Sequence, residues 1–168
     1  PDRVIVGVNC DYAKDAMQRL YSKLIGDGYP ILFTNIATAE LTKYSSNAFL
    51  AMKIAFANEI SDICEGVGAD VKQVIKGMGM DNRIGGKYMQ PGPGYGGSCF
   101  PKDTLALTHI ASDSGYPTQI IESVINSNDQ RRQRMVSKIE SACGGSVKGL
   151  KISVLGLTFK ANTDDMRY

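Results

Sequence analysis

The chain has 168 residues, 43% of them hydrophobic and 21% charged, with a formal net charge of +2. That is an ordinary globular composition, long enough for one sizeable core or two small ones. The small charge gives no electrostatic reason to expect nucleic acid or an anionic membrane as a partner, and "RRQR" at 131–134 reads as a solvated helix face.

No apolar run reaches the length of a membrane span, and the opening "PDRVIVGV" lacks the layout of a secretory leader, so a cytoplasmic protein is expected. Cys10, Cys64, Cys99 and Cys143 are scattered with no C-x-x-C pair. Neither a metal site nor a disulfide framework is expected from them.

In chain order, "RVIVGV" at 3–8 is a β-branched run, residues 11–25 have helical spacing, and "PILFTNI" at 30–36 is a second apolar run. This predicts strand, helix, strand with a right-handed crossover in a parallel sheet. Two strands do not sustain an open α/β sheet, so the chain reads as starting inside a domain.

Residues 38–65 carry one long helical pattern, with Leu41, Tyr44, Ala48, Met52, Ala55, Phe56, Ile60 and Ile63 in a stripe and Gly66 placed to end it. A helix this long needs packing along its length, a role a second subunit can fill. Asp70 with Gln73 resembles a capping box before a short helix through Lys76, which the glycines and methionines of "GMGMD" end.

After a glycine-rich loop, Asp103 is expected to cap a helix to about residue 112. Gly115-Tyr116-Pro117 should turn the chain, and a long helix should run over 118–142 until Gly144 and Gly145 close it. "LKISVLGL" at 150–157 reads as a strand with nothing in this chain to pair with. The expected fold is mainly α, a helical central domain with a long core helix, flanked by partial α/β Rossmann-like elements at both ends. The expected domains are 1–36, 37–146 and 147–168, a piece of a larger protein.

The loop "PGPGYGGSCFPKD" at 91–103 contains Gly92-Pro93-Gly94-Tyr95-Gly96-Gly97, which spells G-x-G-x-x-G. A dinucleotide turn follows a buried strand and opens a helix on the pyrophosphate. Here the preceding residues are polar and glycine-broken, and Pro91 and Pro93 have no N–H to offer a phosphate. The dinucleotide reading is therefore rejected.

Cys99 stands between this loop and a helix start, where backbone N–H groups and the helix dipole favour a thiolate nucleophile; a small buried residue is the other reading. Lys43 and Asn47, at i and i+4, project from one helix face and either hold a polar ligand or form an exposed stripe. His109, the only histidine, has no partner in sequence and receives no role.

Four strings occur in order, the middle two overlapping: "ELTKYSSNAFLAMKIAFANEI" (40–60), "DNRIGGKYMQPGPGYGG" (81–97), "GGSCFPKDTLAL" (96–107) and "GLTFKANTDDMR" (156–167). Together they resemble the nucleotide-sugar dehydrogenases, and the resemblance covers nearly the whole chain. The "PGPGYGG" spelling and Ser98 before the cysteine are closer to the UDP-glucose branch than to the GDP-mannose or N-acetylhexosamine branches.

The resemblance implies a twofold oxidation of UDP-glucose to UDP-glucuronate with NAD as cofactor. It assigns Cys99 as the nucleophile that carries a thiohemiacetal and then a thioester, Lys43 as stabiliser of charge on the C6 oxygen, and Asn47 and Asp103 as positioning groups. It also implies substrate contacts from Tyr88, Met89, Gln90, Pro91, Gly92, Gly94 and Gly96, from Arg83 reaching a neighbouring subunit's site, and from Phe159 and Lys160. Lys102 and Arg167 would contact NAD.

By the same resemblance, 1–36 ends an NAD-binding domain, 147–168 opens a UDP-sugar-binding domain, and the long central helix forms a homodimer. The G-x-G-x-x-G strand-turn-helix and the acidic residues of the NAD side are missing, so the isolated segment is expected to be inactive. The alternatives are a dehydrogenase of GDP-mannose or another UDP-sugar, or a non-catalytic dimerisation module.

Overall fold

A computed structural model describes residues 2–158 and 162–166. The chain divides into two compact units, Pro1–Ser46 and Asn47–Tyr168.

In the first unit, β1 (Val4–Gly7) pairs in parallel with β2 (Ile31–Thr34), Val4 opposite Ile31 and Gly7 opposite Thr34. The crossover carries α1 (Asp11–Leu20) and α2 (Ser22–Gly26), so the single helix expected over 11–25 is interrupted at Tyr21, whose ψ is 10°. Gly7 is required where it stands. A Cβ there would come within 2.8 Å of the Ile36 Cα, where α3 (Ile36–Val67) begins. Asn35 starts that helix two residues earlier than its apolar pattern suggests, its Oδ1 accepting from the Thr38 N–H at 2.8 Å.

In the second unit, α3 buries Asn47, Ala48, Ala51, Ala55, Ala57, Asn58, Ser61 and Cys64. This face is made of small residues, which allows close approach of its neighbours. Of the expected stripe, Ala48 and Ala55 lie inward, whereas Leu41, Phe56 and Ile63 are exposed. The helix ends at Gly68 (φ +73°), not Gly66, because Gly68 supplies the left-handed residue that lets the Ala69 N–H donate back to the Cys64 carbonyl at 2.9 Å.

Asp70 caps α4 (Val71–Gly79), its carboxylate accepting from the Lys72 N–H. The next helix, α5 (Phe100–Asp113), has Cys99 as its N-cap, with Pro101 in the first turn. Asp103 is therefore not the cap but a buried residue one turn inside. Thr118 is the N-cap of α6 (Gln119–Ala142), and Gly145 closes that helix through a 2.8 Å bond to the Glu140 carbonyl.

The unit's core gathers Ala51, Ala55, Tyr95 and Val124, with Met52, Ile54 and Phe100 packed on it. Two further expectations fail. Residues 150–157 form no strand among the described residues: a ladder needs a partner, and Val154, Leu155 and Leu157 are exposed. Arg131 is not on a solvated face but 7% exposed, paired with Asp62.

Candidate active site

The N-terminus of α5 brings Cys99 close to two other candidate residues. Cys99 is exposed, and its backbone carbonyl accepts the first helical bond from the Asp103 N–H at 2.9 Å. The Asp103 side chain is 1% exposed. A carboxylate so buried needs partners on both oxygens. It has them: the Asn47 Nδ2 donates to Oδ2 at 2.5 Å, and the Lys102 ammonium pairs with Oδ1. This fixes Asn47 of α3 to the first turn of the cysteine's helix, so two of the sequence-predicted residues meet 56 positions apart. Lys43 lies one turn before Asn47 on α3 and is exposed.

The glycine-rich loop is fastened on both sides. Phe100, next to Cys99, meets the rings of Tyr88 and Tyr95 edge-on, with centroids 6.3 and 6.1 Å away. Burial pushes the Tyr95 phenol above the ordinary value, with Thr104 acting in the opposite direction. The Thr104 hydroxyl in turn donates to the Phe100 and Pro101 carbonyls at 2.8 and 3.0 Å.

Tyr88 has a left-handed backbone (φ 61°), unusual for a residue with a Cβ, while Met89 is buried and Gln90 is exposed. Gly94 (φ +128°) has no room for a side chain, since a Cβ would lie 2.9 Å from the Asn128 Oδ1. An open groove of about 750 Å³ runs past Ile54, Tyr88, Gln90, Gly92 and Gly94.

The loop's amides decide what it is not. The Gly92 N–H donates to Asn58 and the Tyr95 N–H to Asn128, at 2.7 and 2.8 Å. Both point into the protein, so neither is presented to a phosphate, and the segment before the loop is not a strand. The dinucleotide spelling has no dinucleotide geometry.

Arg83 is exposed, and its Nε and Nη2 donate to Asp81, which holds the Asp81 carboxyl below its ordinary value. Lys53 of α3 anchors that turn by donating to the Ile84 and Gly85 carbonyls at 3.0 and 3.2 Å. Cys64 is buried, whereas Cys10 and Cys143 are exposed like Cys99, so exposure does not single out the cysteine. His109 is exposed. Phe159, Lys160 and Arg167 lie outside the described residues. Among those described, no cluster of metal-ligating side chains and no helix long and apolar enough to cross a membrane is found.

Thr104, Asn58, Asn128 and Arg131 escape sequence reasoning. Their one local signal is that polar residues occupy core-facing helix positions.

Residues 37–130 match the central domain of the UDP-glucose/GDP-mannose dehydrogenase family. The UDP-glucose 6-dehydrogenase of Rhizobium meliloti is 52% identical over 169 residues, covering 99% of this chain and 39% of that protein. The Rickettsia bellii UDP-glucose 6-dehydrogenase is 48% identical, covering 99% and 38%. A solved UDP-glucose dehydrogenase from Pyrobaculum islandicum superposes with a TM-score of 0.93 at 39% identity, covering 99% of this chain and 38% of that one. The chain thus spans about two fifths of the length of the curated relatives it matches. With more than half of its residues inside the family's central domain, and with the helical architecture of that domain, the chain belongs to the UDP-glucose/GDP-mannose dehydrogenase family.

Proposed function

We propose that this segment is the cysteine-bearing core of an NAD-dependent UDP-glucose 6-dehydrogenase, which oxidises the C6 alcohol of UDP-glucose twice and releases UDP-glucuronate. The observation that carries the reading is an exposed Cys99 at the head of α5 with the buried Asp103–Asn47 pair one turn behind it. The relatives named UDP-glucose 6-dehydrogenase support the choice of substrate.

In this reading the Cys99 sulfur attacks the C6 aldehyde to form a thiohemiacetal. After the second oxidation it holds the acyl group as a thioester, which water cleaves, returning the thiol. Asn47 and Asp103 orient the C6 oxygen and the hydrolytic water, and Lys43 stabilises negative charge on that oxygen. Arg83, Tyr88, Gln90, Pro91, Gly92, Gly94, Gly96, Phe159 and Lys160 form the sugar-nucleotide contacts, Arg83 toward a partner subunit's site. Met89, being buried, acts by anchoring the loop and not by touching ligand.

The Lys102 side chain is 66% exposed, which suits a cation that meets a dinucleotide's diphosphate while pairing with Asp103. When bound, NAD+ accepts the hydride of each oxidation; Lys102 and Arg167 are this chain's residues toward it. Residues 1–36 and 147–168 belong in this reading to the neighbouring cofactor and UDP-sugar domains, and the 168-residue chain alone does not turn over.

The test is stoichiometry in a polypeptide that joins this segment to the regions its relatives add. UDP-glucose should yield two NADH per acid released, and GDP-mannose should be a poor substrate. Preference for GDP-mannose, or full acid release by Cys99→Ala, would overturn the assignment.

A further inference from the structure

We infer that Asn58, Asn128 and Arg131, with Asp62 behind them, form a buried frame that sets the backbone of the glycine loop and so positions it for the sugar nucleotide. The recognition half of this inference rests on the substrate-loop reading proposed above; the frame itself rests on geometry alone.

Pro91, Gly92, Pro93 and Gly94 belong to no helix or ladder, and glycine gives up much freedom when ordered. Something outside the loop must therefore specify its shape. The Gly92 peptide is held at both of its polar atoms: its N–H donates to the Asn58 Oδ1 at 2.7 Å, and its carbonyl accepts from the Arg131 Nε at 2.9 Å. Tyr95 is held in the same way by one side chain, its N–H donating to the Asn128 Oδ1 at 2.8 Å and its carbonyl accepting from the Asn128 Nδ2 at 3.1 Å. All three holding residues are buried.

These contacts are specific to polar shape. An aliphatic side chain would fill the same space between α3 and α6 without desolvating an amide or a guanidinium. Asn58 keeps its oxygen on Gly92 although its Nδ2 finds no partner among the described residues. Gly94 leaves no space beside Asn128 for a Cβ. A buried guanidinium also needs a counterion, which Asp62 supplies, and Asp62 takes Arg134 and Lys138 as well. Arg131 therefore spans from the Asp62 carboxylate to the Gly92 carbonyl, a fork a lysine cannot reproduce.

The test uses the full-length enzyme and two variants. Arg131→Lys keeps the charge but loses the fork, and Gly94→Ala leaves every buried polar group in place but forces the loop off Asn128. Arg132→Gln, an exposed neighbour on α6, serves as control. Hydrogen exchange of peptides over 88–99 should speed up by about tenfold in both variants, the equivalent of one lost hydrogen bond, with α3 and α6 unchanged. In Arg131→Lys, at a residue that touches the Gly92 carbonyl and Asp62 and not the ligand, the KM for UDP-glucose should rise by about tenfold while kcat stays within a factor of about three, the pattern of lost uniform binding.

Unchanged loop exchange would overturn the frame whatever the loop binds. Exchange that speeds up equally in α3 and α6 would overturn it in favour of plain structural support. Faster loop exchange with an unchanged KM would keep the frame and sink the loop's assignment to the sugar nucleotide.

Discussion

Cys99 is one of three exposed thiols, yet among the described residues only its helix places a buried acid in the first turn; α1, capped by Cys10, has no buried residue. The proposed chemistry turns on the sulfur's ability to stay bonded while the thiohemiacetal carbon loses its hydride, and then to leave the acyl carbon as thiolate when water attacks. A serine at the position holds an acyl group that water cleaves poorly. Cys99→Ser in the full-length enzyme should therefore stop acid release while NADH from the first oxidation still forms, as followed by absorbance and by chromatography of the sugar nucleotide.

Asp103 makes a separate prediction. Replacing it with Asn leaves one buried atom as a donor facing the Asn47 amide or the Lys102 ammonium. Loss of a charged, buried hydrogen bond costs about 1.5–3 kcal/mol. For a protein of this length that lowers the melting temperature by roughly 3–12 °C, and an unshifted melt would remove Asp103 from the structural account. The pairing itself is not legible in the sequence. Lys43 and Asn47 share a helix face by spacing, but nothing local says that Asn47 meets an acid 56 residues away; only the family resemblance groups them.

At the scale of elements, α3 and α6 are joined where Asp62 receives Arg131, Arg134 and Lys138, and Lys138 also reaches Glu65 at 2.6 Å. Burial works against ionisation of Asp62, but the hydrogen bonds and charges of Arg131 and Arg134 outweigh it, so its carboxyl titrates below the ordinary value. The sign follows. Asp62 contributes stability that is complete above an unfolded carboxylate value of about 3.9 and is lost as pH falls through the lower, folded value. Asp62→Asn should thus lower stability at neutral pH by about 2 kcal/mol and flatten the fall below pH 4, measured by urea unfolding across that range. Equal acid limbs in the two proteins would refute the role.

Long helices are legible because their apolar period persists over many turns, and α3 and α6 are found nearly to their ends. Ends and partners depend on atoms the period does not encode. Gly66 and Gly68 both look like stops, and only Gly68 takes the left-handed conformation. Arg131 sits in a run that reads as surface, and its counterion is 69 residues away. Residues 150–157 have the composition of a strand but form no ladder among the described residues.

For the whole molecule, the question is what covers α3. Phe49, Phe56 and Ile63 follow one another at intervals of seven, so they line one face of the helix, and they are 57, 45 and 54% exposed. Ala51, Ala55 and Ala57 are buried on the helix's inward-packed side. An apolar row of that length is costly to leave in water, at about 25 cal/mol for each Å² exposed. A second copy of the helix, bearing the same row, is self-complementary to it about a twofold axis.

The expected state is therefore a dimer through α3, which would also bring Arg83 within reach of a partner's site in the proposed enzyme. Sedimentation equilibrium at micromolar concentration should give twice the chain mass. Phe56→Glu, which puts a charge in the middle of the row without touching the buried alanine face, should give the monomer with its helical circular dichroism intact. A wild-type chain that stays monomeric over a wide concentration range would remove the interface, and with it the route by which Arg83 serves a neighbouring subunit.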